Sequence, residues 1–290
     1  MSKIFPVIIL TIIASGQLSG GTPPRALWVL ETGKIIREEG GTAKFLNFCK
    51  SKNIKMIFLY SGKELFKKGE DRSAIKKFLR EAHGAGMKVD ALDGWPEAVY
   101  KENHEEFLSS LKNILEFNAE ENPCERFDGF QSDVEPYNLS DYKESKEKRN
   151  EIEKLFIELH AECRKIAGKK FNLGLAISER YSHEESSVPA KMLESVDYLA
   201  VMAYRNKADR IINSSEYFIN MASDMDKKIW VGVETGNPGD EPASISFYGK
   251  SEKKMEEELQ KVSDRFAGEK GFAGIAIHSC KSYAKMDNSN

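Results

Sequence analysis

The segment Asp128-Gly129-Phe130-Gln131-Ser132-Asp133-Val134-Glu135 carries acids at a spacing that suits proton transfer. Along an extended strand alternate side chains share a face. Gly129, Gln131, Asp133 and Glu135 therefore point one way, and Phe130 and Val134 point the other. The apolar pair seats the strand on a core, and the acids are left as neighbours on the opposite face. Two adjacent carboxylates repel, so one holds its proton near neutral pH, which is the condition a general acid needs. The bland alternative is a solvated strand end before a turn, closed by Pro136, which cannot donate to a ladder.

Such acids do chemistry only if a fold brings other groups to them. Strand-like runs recur at Ala26–Glu31, Lys55–Tyr60, Lys88–Leu92, Phe127–Glu135, Phe171–Ile177, Tyr198–Tyr204, Ile229–Glu234 and Phe272–His278. Several are nearly continuous apolar runs, the pattern of parallel strands covered by helices. Between them lie stripes at helical spacing. Ile152, Leu155, Phe156, Leu159, Cys163 and Ile166 form one; Met255, Leu259, Val262 and Phe266 form another; Phe107, Leu108, Leu111, Ile114 and Leu115 form a third. Eight strands alternating with helices over residues 24–290 predict a single α/β domain, a (β/α)8 TIM barrel. An open doubly wound sheet fits less well. The first strand is followed by Glu31-Thr32-Gly33-Lys34 rather than a Gly-rich phosphate turn, and nothing calls for a cofactor.

In a barrel of this kind the active site lies at the C-terminal ends of the strands. Those ends carry Glu31, Tyr60, Ser61, Asp93, Trp95, Asp133, Glu135, Glu179, Arg180, Tyr204, Arg205, Glu234 and His278. Acids and aromatic faces together are what a carbohydrate site uses: rings for stacking, carboxylates for protonation and charge stabilisation. Gln131, Asp93, Trp95, Arg205, Glu234 and His278 are the candidate substrate-binding residues. No metal site is expected: His160 and Cys163 share a helix face that belongs to a core stripe, and His104-Glu105-Glu106 lacks the second His of a zinc motif.

The 290-residue chain has 43 basic and 46 acidic residues and a net charge of −3, which leaves no basic footprint for nucleic acid. Lysine-rich stretches such as 143–149 and 250–254 are broken up by acids, the pattern of a solvated helix face. Residues 1–20 have a different character. Lys3, the apolar run Ile4–Ala14 and the small, polar segment Ser15–Gly21 have the layout of a secretory signal, with cleavage after Gly16 or Gly20. The run is too short to span a bilayer, which takes ~20 apolar residues, although retention as an anchor stays open. Secreted, periplasmic or cell-surface placement follows. Export raises the question of the four cysteines. Cys124 and Cys163 fall at one end of the fold and are the candidate pair, beside the reading that Cys49, Cys124, Cys163 and Cys280 are free thiols. Asn138-Leu139-Ser140 and Asn213-Ser214-Ser215 fit the glycosylation pattern. The oligomeric state is left open.

The acidic segment resembles the fourth-strand signature of the family 18 glycoside hydrolases, the chitinase-like enzymes, which reads Asp-Gly-x-Asp-x-Asp-x-Glu. Met202-Ala203-Tyr204 is similar to that family's Met-x-Tyr-Asp at the end of the sixth strand. The resemblance implies that Glu135 is the general acid, and that Asp133 and Tyr204 hold the N-acetyl group of the sugar as it attacks the anomeric carbon. Four features depart from the family. Gln131 replaces the middle Asp, Arg205 replaces the Asp after Tyr204, and His278 stands where a Trp usually ends the eighth strand. Only Thr235 to Gly271 separates the last two strands, which leaves no room for the extra domain of many chitinases. A different or shorter glycan than polymeric chitin is expected. Two other readings stay open: a retaining glycosidase of the clan A type using Glu135 and Glu234, and a glycan-binding barrel without turnover.

Overall fold

The computed structural model describes residues 23–62, 69–182 and 186–286, so the expected signal segment lies outside the described residues. The strands are β1 (Arg25–Val29), β2 (Ile54–Tyr60), β3 (Lys88–Asp93), β4 (Gly129–Ser132), β5 (Asn172–Ser178), β6 (Tyr198–Met202), β7 (Lys228–Glu234) and β8 (Phe272–His278). Each pairs in parallel with its sequence neighbours, and β8 pairs with β1, giving the closed (β/α)8 barrel the sequence predicts. The helices are α1 (Thr32–Arg37), α2 (Gly41–Ser51), α3 (Glu70–Gly84), α4 (His104–Glu120), α5 (Lys146–Ala167), α6 (Val188–Ser195), α7 (Ala208–Asp224), α8 (Glu252–Phe266) and α9 (Cys280–Tyr283). No helix among the described residues is long and apolar enough to cross a membrane.

The helices form where the periodic stripes lie, and capping residues fix their starts. The Ser145 hydroxyl accepts from the Lys148 N–H at the head of α5, and Ser251 does the same for Lys254 at the head of α8. Met255, Leu259, Val262 and Phe266 of α8 are completely or almost completely buried, as are Ile152, Phe156 and Leu159 of α5. On the strands, outward residues such as Phe130 and Val134 pack under these helices, with the Phe130 ring 6.0 Å from that of Phe107 on α4.

Inside the barrel large and small residues alternate, so the rings interdigitate. Trp28, Phe58, Tyr198 and Trp230 fill the interior between Ala26, Ala176, Ala200 and Ala276. Gly174 is glycine because a Cβ there would drive into the Tyr198 ring. A polar chain threads the same interior. Trp28 Nε1 donates to Gln131 Oε1 at 2.7 Å, Gln131 Nε2 to the Tyr198 hydroxyl at 3.3 Å, and that hydroxyl to Asp90 Oδ2 at 2.7 Å.

Three strands are shorter than the sequence suggests: β1 stops at Val29, β4 at Ser132 and β6 at Met202, short of Glu31, Glu135 and Tyr204. For β4 the cause is local. The Asp133 N–H still bonds the Asp93 carbonyl at 3.0 Å, but there β3 ends. Pro136 then opens a single 3₁₀ turn, Pro136–Asn138. The cysteines are all free, which overturns the Cys124–Cys163 pairing. Cys124 is exposed after α4, and Cys163 is buried in α5, where burial pushes its thiol up to about 12. The neighbour that bears on Cys49 is Cys280.

Candidate active site

Asp133 sits just beyond β4, and the close approach of β3 holds it there. A Cβ on Gly94 would meet the Asp133 backbone well inside van der Waals contact, so only glycine lets the two segments pass. The Asp133 carboxyl is buried, and its Oδ1 has no hydrogen-bond partner. Burial, and then the charge of Glu135, push it up to about 7 against the opposing charge of His278. Around neutral pH it is therefore a carboxyl that gains or loses a proton readily.

Glu135 stands two residues further on, where the 3₁₀ turn folds back upon it. The Tyr137 hydroxyl donates to Oε1, and the Asn138 amide donates to Oε2 at 2.9 Å. The Arg180 guanidinium stacks 4.1 Å over the Tyr137 ring and fixes it in turn. The local signal was present in the sequence as Glu-Pro-Tyr-Asn: a turn after Pro136 returns the third residue to the first. The sequence reading took Asn138 only as a glycosylation acceptor and did not single out Tyr137.

Tyr204 follows β6, and its carbonyl accepts from Arg205 Nη1 at 2.7 Å. Among the described residues its hydroxyl has no hydrogen-bond partner. Burial and the charges of Glu234, Asp133 and Glu135 push its phenol far above the ordinary value, so the hydroxyl remains a donor. The three acids thus act on one ring, and Asp133, Glu135 and Tyr204 share one end of the barrel.

Glu234 and His278 are register partners on β7 and β8. His278 Nδ1 lies 2.6 Å from Glu234 Oε2, while Glu234 Oε1 accepts the N–H groups of Thr235 at 2.8 Å and Gly236 at 2.5 Å. Burial opposes both charges, but their hydrogen bond and mutual attraction outweigh it. The His278 imidazole is raised and the Glu234 carboxyl lowered. The His278 ring lies 5.9 Å from the Tyr204 ring. The two arginines of this rim are engaged elsewhere: Arg205 pairs with Glu179, and Arg180 is on Tyr137.

The remaining sequence candidates have partners of their own. Gln131 is completely buried, with both ends of its amide committed to Trp28 and Tyr198, so it belongs to the barrel interior. Its sequence reading as a substrate contact is corrected by that burial. Asp93 is buried, with Oδ1 on the Gly94 N–H at 2.9 Å and its carbonyl on Asp133, so it shapes the backbone under the acid. Trp95 is half-buried, edge-on to Phe107 at 5.8 Å. His160 is buried, bonded to the Phe156 carbonyl and to Ser132, and burial lowers its imidazole to about 4. Among the described residues there is no group of three or more His, Cys, Asp or Glu that could hold a metal.

No family model and no curated protein matches the sequence. Solved structures do match the fold. A chitinase from Bacteroides thetaiotaomicron superposes with a TM-score of 0.58 at 11% identity, covering 90% of this chain and 91% of that one. A GH18 chitinase from Pseudoalteromonas aurantia gives 0.57 at 14% identity, covering 88% and 93%. The intracellular xylanase TsXylA of Thermoanaerobacterium saccharolyticum gives 0.58 at 11% identity, covering 93% and 89%. The fold is shared with barrels of more than one specificity, so function has to be argued from the site.

Proposed function

We propose that this protein is an exported glycoside hydrolase that cleaves a glycan containing an N-acetylhexosamine, with the sugar's own acetamido group as nucleophile. Glu135 gives a proton to the glycosidic oxygen as the bond to the anomeric carbon breaks. The acetamido carbonyl oxygen attacks that carbon, Tyr204 donates a hydrogen bond to the same group, and Asp133 accepts its N–H and offsets the developing positive charge. Water then opens the ring so formed, with Glu135 taking the proton back.

The observation that carries this reading is the pairing of two unused groups. The Asp133 carboxyl is buried with an oxygen lacking any partner, and the Tyr204 hydroxyl is a donor without an acceptor. A buried carboxylate oxygen without a partner is rare and asks for an explanation, which an acetamido group held between it and the Tyr204 hydroxyl provides. The structures of similar fold, chitinases among them, add support. Against the retaining alternative stands the state of Glu234. Three of its four lone-pair positions are engaged by His278 and two backbone N–H groups, and these contacts stabilise the carboxylate and weaken it as a nucleophile.

The test is a glycan-panel assay of the mature protein beside three variants. Glu135→Gln is expected to keep glycan binding and lower turnover by about 10²–10⁴-fold. Asp133→Asn should damage turnover on N-acetylated substrates, and Glu234→Gln much less. Loss of activity in Glu234→Gln with a mild Asp133→Asn would replace this mechanism by the two-glutamate one. If no activity found responds to either Glu substitution, the hydrolase reading fails.

A further inference from the structure

Beside Glu234 and His278 opens a cleft of about 950 Å³, bounded by the segment after β7, the start of α8 and the segment after β8. Four lysines line it: Lys250, Lys254, Lys281 and Lys285. The one carboxylate in its lining is Glu234, which is hydrogen-bonded to His278. Lys281 lies 3.9 Å from Glu31, and among the described residues Lys250, Lys254 and Lys285 have no ion-pair partner. Three lysines outside the cleft show what a paired one looks like: Lys52 lies 2.5 Å from Glu252, Lys76 2.5 Å from Glu121 and Lys101 2.7 Å from Glu162. The lysine-rich stretch 250–254, which reads in sequence as a solvated helix face, thus faces a cavity at both its ends.

Like charges around one concavity repel and raise the local positive potential, a cost that an anion entering the cleft removes. Tyr248 stands at the rim with 58% of its surface exposed, a free aromatic face of the sort sugars stack upon. The cleft is also continuous with the catalytic groups, since His278 lines it and its ring reaches Tyr204 at 5.9 Å. A chain with one unit over Tyr204 would run its neighbours into the lysines.

We propose that this cleft is a subsite for an acidic sugar unit, and that the substrate is an anionic glycan carrying carboxylate or sulfate groups. The inference rests on the glycosidase reading and names its substrate class. The cleft lining holds lysines and no arginine, so it reads negative charge rather than the planar fork of a bidentate acid.

The test uses the full mature chain carrying Glu135→Gln, so that bound sugars persist, and measures affinity by fluorescence anisotropy at low and high salt. Two matched pairs are the probes: a hyaluronan hexasaccharide against its carboxyl-reduced form, and 6-O-sulfated against unsulfated chitohexaose. The anionic member of at least one pair should bind about tenfold tighter at low salt, as expected for a few partly exposed charge pairs, and lose that advantage as salt rises. Which pair responds distinguishes carboxylate from sulfate. Adding Lys250→Gln, Lys254→Gln and Lys285→Gln together should reduce the preference to within about twofold. The control Lys154→Gln, on the exposed side of α5, should leave it intact. Equal binding within both pairs, or a preference that survives the triple substitution, overturns the subsite while leaving the glycosidase reading in place. If none of the four sugars binds and the unsubstituted protein cleaves none, both readings fail together.

Discussion

Replacing Asp90 by Asn tests whether a carboxyl at the far end of the barrel is held neutral by the fold. Asp90 is completely buried; Tyr198 and Asn172 donate to its Oδ2 at 2.7 and 3.0 Å, and its Oδ1 has no partner. Burial pushes the group from 3.8 up to about 7, with the Tyr198 hydrogen bond opposing and the Asp128 charge adding. The sign follows from proton counting. Between these two values the unfolded chain has released this proton and the folded chain still holds it, so stability falls as pH rises. The stabilising share is present below about pH 4 and gone above about pH 7. Some three units at ~1.36 kcal/mol each make that share about 4 kcal/mol. Asparagine has nearly the same shape, keeps an acceptor for Tyr198 and cannot ionise. The stability of Asp90→Asn relative to the unsubstituted protein should therefore climb by about 4 kcal/mol between about pH 4 and pH 8. Urea unfolding of both proteins at several pH values reads the difference directly. A difference that stays flat across that range, or falls with rising pH, refutes the reasoning, because Asp90 would then ionise in the fold as it does outside it.

Two further outcomes are expected. Gly94→Ala should cost about 1–3 kcal/mol in chemical denaturation, because the new methyl presses on backbone that cannot give way. It should also lower kcat by displacing Asp133, and a variant with unchanged stability and turnover would show that the close approach is unimportant. N-terminal sequencing of exported protein should begin near residue 17 or 21, as the signal-like layout implies; a chain that still begins at Met1 defeats the export proposal.

The sequence by itself determined the architecture and singled out the candidate acids. Strand runs and helical stripes are local patterns, set by which residues must face a core, and they sufficed for an eight-stranded barrel. Alternation from Gly129 to Glu135 likewise separated the acids from Phe130 and Val134, which are buried beneath the helices. What depends on several strands at once had to wait for the tertiary structure. Glu234 meets His278, 44 residues away, because the β7–β8 register sets them side by side, and no local pattern encodes that register. Gln131 fell inside rather than on the rim because Trp28 and Tyr198 reach it from β1 and β6. The missing partner of Asp133 Oδ1 is a property of everything around it, and so is the cluster of lysines drawn from α8 and the segments beside it. Chain order states which groups exist; closure of the barrel decides which of them share a dielectric, a hydrogen bond or a cavity, and those determine their chemistry.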